Sequence, residues 1–310
     1  MVSKKFFVYT FYKFFNLDDK NLIKKSLDNY LTSKTIKGTI LLADEGINAS
    51  VSGSKEELES LLAYLKRILK IRTFVIKSSE TNFLPFNRIK VRLKKEIVSL
   101  GVGAIDVEKY SGELIHPSKW DNIIKCENVE LIDVRNIFEI KIGSFKNSIN
   151  PKTKSFREFP EKIKRLNIKK SSKLAIYCTG GIRCEKASAY LKINGYKDVV
   201  QLDGGIINYL NYMKTKNNKI SYWNGECFVF DSRVTINKSL LQGNFTQCHG
   251  CRHPLTKEEV TLNSYIKGVH CKYCINTRSK TQKQKSFMRQ KQIEKAEKMN
   301  RDHSFKKISV

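Results

Sequence analysis

The sequence predicts a chain of several domains, mixed α/β and α+β: two α/β units, a cysteine-rich module and a basic tail. Three observations carry this. Apolar runs of strand length alternate with apolar stripes at helical spacing over the first hundred residues, and again over 121–220. Two CxxC pairs, separated by 19 residues, lie beyond residue 245. From Arg278 to Lys307 there are 11 Lys/Arg against 3 Asp/Glu and few large apolar residues. The expected organisation is a first domain at 1–98, a linker or edge segment at 99–120 and a second domain at 121–220. A cysteine-rich module at 221–280 and a tail at 281–310, helical or disordered, complete it.

In order, Phe6 to Tyr12 reads as a strand, and Leu22, Ile23, Leu27, Tyr30 and Leu31 mark one face of a helix. The strand Thr39 to Ala43 leads through the turn Asp44-Glu45-Gly46-Ile47-Asn48 to a short strand ending at Val51. Ser54-Lys55-Glu56-Glu57 is a capping box, in which serine and glutamate satisfy each other's free backbone N–H groups. The helix it opens carries Leu58, Leu61, Leu62, Leu65, Ile68 and Leu69 on one stripe. Strands near Thr73 to Ile76 and Ile89 to Leu93 complete β-α-β-β-α-β, the order of a ferredoxin-like (acylphosphatase-like) unit. In the second unit, Ser118-Lys119-Trp120-Asp121 starts a helix, and Val129 to Val134, Leu174 to Tyr177 and Val199 to Leu202 read as strands. The helix Arg183 to Asn194, stopped by Gly195, lies between the last two strands and implies a mainly parallel sheet.

Composition narrows the function. At 40% apolar and 28% charged residues the chain can fill ordinary cores, which excludes wholesale disorder. No apolar run approaches the ~18 residues of a membrane span. The greasy opening, Phe6 to Phe15, is interrupted by Thr10, Lys13 and tyrosines, and no small-residue cleavage site follows. The eight cysteines, four of them in CxxC pairs, suit metal and thiolate chemistry in a reducing cytoplasm rather than a disulfide framework. The charge, 58 Lys+Arg against 30 Asp+Glu or +28, makes a polyanion the first partner to consider. A general richness in Lys, Asn and Ile offers a second origin for that excess, so charge alone does not assign nucleic acid.

The most informative stretch is Ala175-Ile176-Tyr177-Cys178-Thr179-Gly180-Gly181-Ile182-Arg183-Cys184. A strand delivers a cysteine to its carboxyl end, two glycines let the chain turn, and a helix begins at once. The free N–H groups of that first helical turn point at whatever sits there. Helix N-terminus and Arg183 should therefore draw Cys178 toward thiolate, below the ordinary pKa of ~8.5. Thr179, Gly180, Gly181 and Ile182 supply an anion cradle suited to a persulfide or an oxyanion. Cys184 could resolve an oxidised or persulfidated Cys178, or fill the helix core as a small apolar residue pointing away from the loop. Asp133, Arg135 and Glu139 read as an ion-pair set supporting the loop, and Asp203-Gly204-Gly205-Ile206 as a contribution to its shape. Cys126 and Cys227 have no partner pattern and read as buried or incidental.

Cys248, Cys251, Cys271 and Cys274 form C-x₂-C-x₁₉-C-x₂-C, the arrangement of a structural zinc site with no ligand position left for water. His249, His253 and His270 flank it, the last being able to replace a neighbouring cysteine. A redox dithiol pair is the competing reading. Lys272, Arg278 and the lysines beyond place positive charge beside the module, as a knuckle gripping RNA phosphates would need.

Cys178 to Arg183 is C-x₄-R with inner glycines, which resembles the active-site loop of rhodanese-type sulfurtransferases. The C-x₅-R loop of cysteine phosphatases is one residue longer. Asp133-Val134-Arg135-Asn136, with Glu139 and Gly143, also resembles the rhodanese domain. Leu41 to Ala49, Tyr177 to Ala187 and Cys251-Arg252-His253-Pro254-Leu255 extend the resemblance, over roughly residues 5 to 280, to the tRNA uridine(34) hydroxylases. That resemblance implies oxygen-dependent hydroxylation of the wobble uridine to 5-hydroxyuridine, with molecular oxygen as co-substrate and Cys178 as the active-site cysteine. It implies the anticodon arm of tRNA as partner. No flavin or nicotinamide fingerprint and no iron facial triad is visible. Read from the residues alone, the same features lead to sulfur transfer onto RNA or a small acceptor. An RNA-binding protein with a non-catalytic scaffold is the third reading.

Overall fold

A computed structural model describes residues 5–216 and 221–299; residues 300–310 of the expected tail lie outside them. The first domain runs β1 (Phe6–Phe14), α1 (Lys20–Leu31), β2 (Lys37–Ala43), β3 (Gly46–Gly53), α2 (Lys55–Leu69), β4 (Val75–Thr81) and β5 (Ile89–Leu93). Its sheet has the order β4-β1-β3-β2-β5. The first four strands are the antiparallel 4-1-3-2 arrangement of the ferredoxin-like unit, while β5 adds a fifth strand parallel to β2. The sixth element expected in the sequence is thus β4, which begins two residues later than predicted and continues to Thr81.

The predicted cap on α2 is present: the Ser54 hydroxyl accepts from the Glu57 N–H at 3.2 Å. Leu58, Leu61, Leu62, Leu65 and Leu69 bury the helix against the sheet, packing on Phe11, Ile40, Leu42, Ile47 and Val51. Truncating one such leucine to alanine costs about 2–5 kcal/mol, because the lost transfer energy is compounded by the cavity left behind.

Short helix α3 (Val107–Tyr110) leads to β6 (Glu113–Ile115), α4 (Pro117–Ile124), β7 (Val129–Asp133), α5 (Ile137–Ile140) and β8 (Gly143–Phe145). Then come α6 (Phe159–Arg165), β9 (Lys173–Tyr177), α7 (Ile182–Ile193), β10 (Asp198–Leu202) and α8 (Gly205–Lys214). Four parallel strands form this second sheet in the order β6-β10-β9-β7. β6 lies in the stretch read as a linker or edge segment; its three residues pair with β10 at the sheet edge, too short a run to register as a strand in sequence. α7 is buried on nearly every side, which removes the one-sided apolar stripe of a surface helix.

β11 (Trp223–Gly225) pairs back onto β8, and β12 (Cys227–Phe228) with β13 (Thr235–Ile236) forms a hairpin. The cysteine module holds one more two-stranded pair, β14 (Thr246–Gln247) with β15 (Pro254–Leu255). It ends in α9 (Lys280–Lys298), opened by a Ser279/Gln282 capping box. Over these residues the tail is helical. Arg278 ties α9 to the module through the Gly250 carbonyl at 2.6 Å and Ser286 Oγ at 2.7 Å, and Arg289 reaches the Gly268 carbonyl at 3.1 Å.

Candidate active site and cysteine cluster

β9 sits inside the parallel sheet and carries Cys178 to its carboxyl end, where the chain turns through Thr179, Gly180 and Gly181 into α7. Gly181 takes φ +96°, and a Cβ there would come within 2.8 Å of the Tyr12 hydroxyl, so both conformation and space require glycine. Gly205 closes the other side, where a Cβ would stand 2.4 Å from the Cys178 carbonyl oxygen. Beside Gly180 a Cβ would meet nothing within 4 Å; the loop is open there.

The Cys178 sulfur accepts the Gly181 N–H at 3.2 Å. Burial raises its pKa, but the Cys184 S–H, the Arg183 charge, and the Cys184 and Gly181 N–H groups outweigh burial and bring it down to about 6. At neutral pH Cys178 is a thiolate. Cys184, fully buried, is pushed well above an ordinary thiol by burial and by the neighbouring thiolate, and so remains an S–H donor. The two readings of Cys184 meet here: it is fully buried in the apolar cluster with Ile132, Ile176 and Leu191, and it lies near enough to Cys178 for the two thiols to shift each other's pKa.

Arg183 does not give its N–H groups to the thiolate. Its Nη1 and Nη2 fork onto Glu139 at 2.6 and 2.8 Å, and Nη2 also donates to Thr179 Oγ1 at 3.2 Å. It influences Cys178 through its charge alone. Burial would raise the Glu139 pKa, but Arg183 and Arg135 hold this carboxylate below its usual range. Beneath it Arg135 forks onto Asp133, Nε to Oδ1 at 2.9 Å and Nη2 to Oδ2 at 2.6 Å, both side chains fully buried. Asp133, Arg135 and Glu139 thus form an ion-pair platform under the loop. Such pairs fix geometry more than they add net stability, because desolvation offsets most of their attraction.

The first domain covers this site, a relation no local pattern discloses. Tyr12 donates to Glu185 Oε1 at 3.1 Å; burial and then Glu185 hold its hydroxyl protonated. Lys186, fully buried on α7, reaches Glu45 at 2.6 Å and Glu96 at 2.7 Å. Tyr12, Lys77, Glu185 and Asp203 line a cleft of about 250 Å³ between the domains. Sequence reasoning missed Tyr12 and Lys77. Nothing distinguishes Lys77 from the other basic residues until β4 is placed.

In the third module the sulfurs of Cys248, Cys251, Cys271 and Cys274 lie within 4.8 Å of one another. Cys248–Cys274 and Cys251–Cys271 are 3.9 and 3.7 Å apart. A tetrahedron of ~2.3 Å zinc–sulfur bonds has edges of about 3.8 Å, so four thiolates at this spacing fit structural zinc and fill its coordination. His270 is turned to the Ser264 carbonyl at 3.0 Å, and His253 stacks on Tyr273 while approaching Cys251 Sγ at 3.7 Å. Both flank the cluster rather than complete it. Lys272 pairs with Glu259 at 2.7 Å, and Arg278 caps the module, so these two cations are committed within the protein. Cys126 is exposed, and Cys227 is buried with its thiol pushed up to about 12 by burial.

Parallel sheet, cysteine loop and supporting ion pairs define a rhodanese-domain protein. Residues 116–211 match the family model of the rhodanese-like domain. Residues 6–97 match that of the UPF0176 acylphosphatase-like domain. Together the two matches join a UPF0176 acylphosphatase-like domain to a rhodanese-like domain in one chain. Among solved structures, a rhodanese-related protein from Thermoplasma volcanium is 28% identical, with 32% of this chain and 92% of that chain covered and a TM-score of 0.27. A rhodanese-like domain protein from Staphylococcus aureus is 26% identical, covering 31% of this chain and 90% of that chain, TM-score 0.27.

Proposed function

We propose that this chain is a tRNA-modifying oxidoreductase that hydroxylates C5 of the wobble uridine, with Cys178 as the active-site thiolate. The observation that carries the reading is a buried thiolate of pKa about 6 in a rhodanese loop that the acylphosphatase-like domain covers. A rhodanese domain points to sulfur transfer or related chemistry, and the pairing with that first domain favours the base as its target. Anticodon-loop bases are already partly unstacked, so delivering one to a recessed pocket demands little compared with opening a duplex.

The reaction replaces C5–H by C5–OH. One atom of molecular oxygen enters the base, and the other leaves as water with two protons and two electrons. Cys178 and Cys184 can provide those electrons by closing to a disulfide, which a cellular thiol then reduces. Loop amides and the Arg183 charge stabilise negative charge at the sulfur. Positive charge on α9, anchored to the zinc module, holds the phosphates of the anticodon arm, in the cytoplasm where tRNA is modified. The same loop also suits a Cys178 persulfide passed to tRNA or a small acceptor, a second reading favoured by the rhodanese match.

Nucleoside mass spectrometry of tRNA from cells lacking the gene separates them. Loss of 5-hydroxyuridine and its derivatives, restored by the wild type and not by Cys178→Ser, is the expected result. Loss of a thiolated base would establish sulfur transfer instead, and an unchanged nucleoside profile would leave the rhodanese unit a scaffold for RNA binding.

A further inference from the structure

The cleft between the domains contains a cation and a carboxylate that the fold does not use. Lys77 projects from β4 toward α7 and is only 7% exposed, yet its ammonium has no hydrogen-bond acceptor; its companion is the face of Tyr12, 4.5 Å away. An unsatisfied buried ammonium destabilises a protein, and a methionine would pack along the same path. Burial lowers the Lys77 pKa, and Asp203, Cys178 and Glu185 are the negative groups that oppose this.

Asp203 stands across the cleft at the carboxyl end of β10, beside the Cys178 loop. Its backbone is bonded, N–H to Ile115 and carbonyl to Asn208, but among the described residues its carboxylate accepts no hydrogen bond and no cation reaches it within 4 Å. Glu185 differs, being occupied by Tyr12 and Ser111. A free donor from one domain and a free acceptor from the other therefore face one space of about 250 Å³, lined by Tyr12, which stands against Gly181 of the Cys178 loop, and near enough to Cys178 for its charge to act on Lys77.

We infer that Lys77 and Asp203 together read the imide edge of a uracil base presented to Cys178, Lys77 donating to the C4 carbonyl and Asp203 accepting the N3–H. This rests on the function proposed above and names what selects its substrate. Cytosine would set its amino group against the ammonium and its N3 lone pair against the carboxylate, a mismatch at both contacts. A site built on buried polar groups rejects the wrong partner strongly, because those groups are left unpaired.

The test is protection of Cys178 in the full-length protein from iodoacetamide, followed by mass spectrometry of its peptide, with uridine, cytidine, 3-methyluridine and inorganic phosphate as probes. It needs neither tRNA binding nor hydroxylation, so its outcome is independent of the nucleoside analysis. Uridine should protect, while cytidine and 3-methyluridine should require at least ~10-fold higher concentration, and Lys77→Gln or Asp203→Asn should each raise the uridine requirement by ~10-fold or more. Lys77→Met should melt at or above the wild-type temperature, as expected for an ammonium retained for a ligand. Equal protection by uridine and cytidine, protection by phosphate equal to that by uridine, no protection by uridine at saturation, or a destabilised Lys77→Met would each overturn the inference.

Discussion

Cys184 offers the sharpest perturbation of the thiolate. Its S–H is the strongest of the influences that lower the Cys178 pKa, ahead of the Arg183 charge. A hydrogen bond to a charged group is worth about 1.5–3 kcal/mol, and a thiol is a weak donor, so the lower figure applies. At 1.36 kcal/mol per unit this moves the pKa by ~1. Cys184→Ala should therefore carry Cys178 from about 6 to ~7. At pH 6.5 the thiolate fraction falls from about three quarters to about one quarter, a ~3-fold slower alkylation. Cys184→Ser keeps a donor in place and should keep the low value. The assay is the pH dependence of iodoacetamide labelling read on the Cys178 peptide, which separates it from exposed Cys126. An alanine variant titrating within ~0.3 unit of wild type would refute the account, since the hydrogen bond could not then hold the proton off.

Other consequences follow from buried charge. Glu139→Ala strands the Arg183 guanidinium in the protein interior and should cost about 3–5 kcal/mol, measurable by urea denaturation, with Cys178 labelling altered even where folding survives. Lys186→Met removes the cation joining α7 to Glu45 and Glu96; the first domain should exchange amide hydrogens faster at the interface, while the interior strands of its sheet stay protected. Because the Cys178 pKa is depressed from about 9 to about 6, its contribution to stability is fully present above the upper value and is lost as pH falls through the lower one. Between those limits wild type should gain stability with rising pH relative to Cys178→Ser, and parallel melting curves would contradict this. Chelating the metal should unfold the segment from Cys248 to Cys274 and release α9, seen as zinc loss together with faster proteolysis near Arg278.

Some of this could be read along the chain because its physics is local. The capping box at Ser54, the leucine stripe of α2, the strand before Cys178, the glycine turn into α7 and the four-cysteine spacing each depend on neighbours a few residues apart. They specify the acylphosphatase-like and rhodanese domains and the metal donor set. Edge strand β6 was harder to place, since so short a strand acquires its identity from the partner it pairs with. Direction was harder still. Arg183 was legible as a charge near the thiol, but not that Glu139, 44 positions earlier, would take its N–H donors. That Cys184 would be both core filler and a neighbour of Cys178 depended on how far α7 is buried, which its sequence pattern does not state.

By itself, then, the sequence determined the three modules and the chemistry each can host, because residue type and short spacing set both. Only the tertiary structure decided the environment of the thiolate. Tyr12, Glu45 and Lys77 come from the first domain, more than 100 residues before the loop they cover, and electrostatics acts through space irrespective of separation along the chain. A lysine unremarkable among 58 basic residues becomes, once buried without an acceptor opposite a free carboxylate, the group most worth testing.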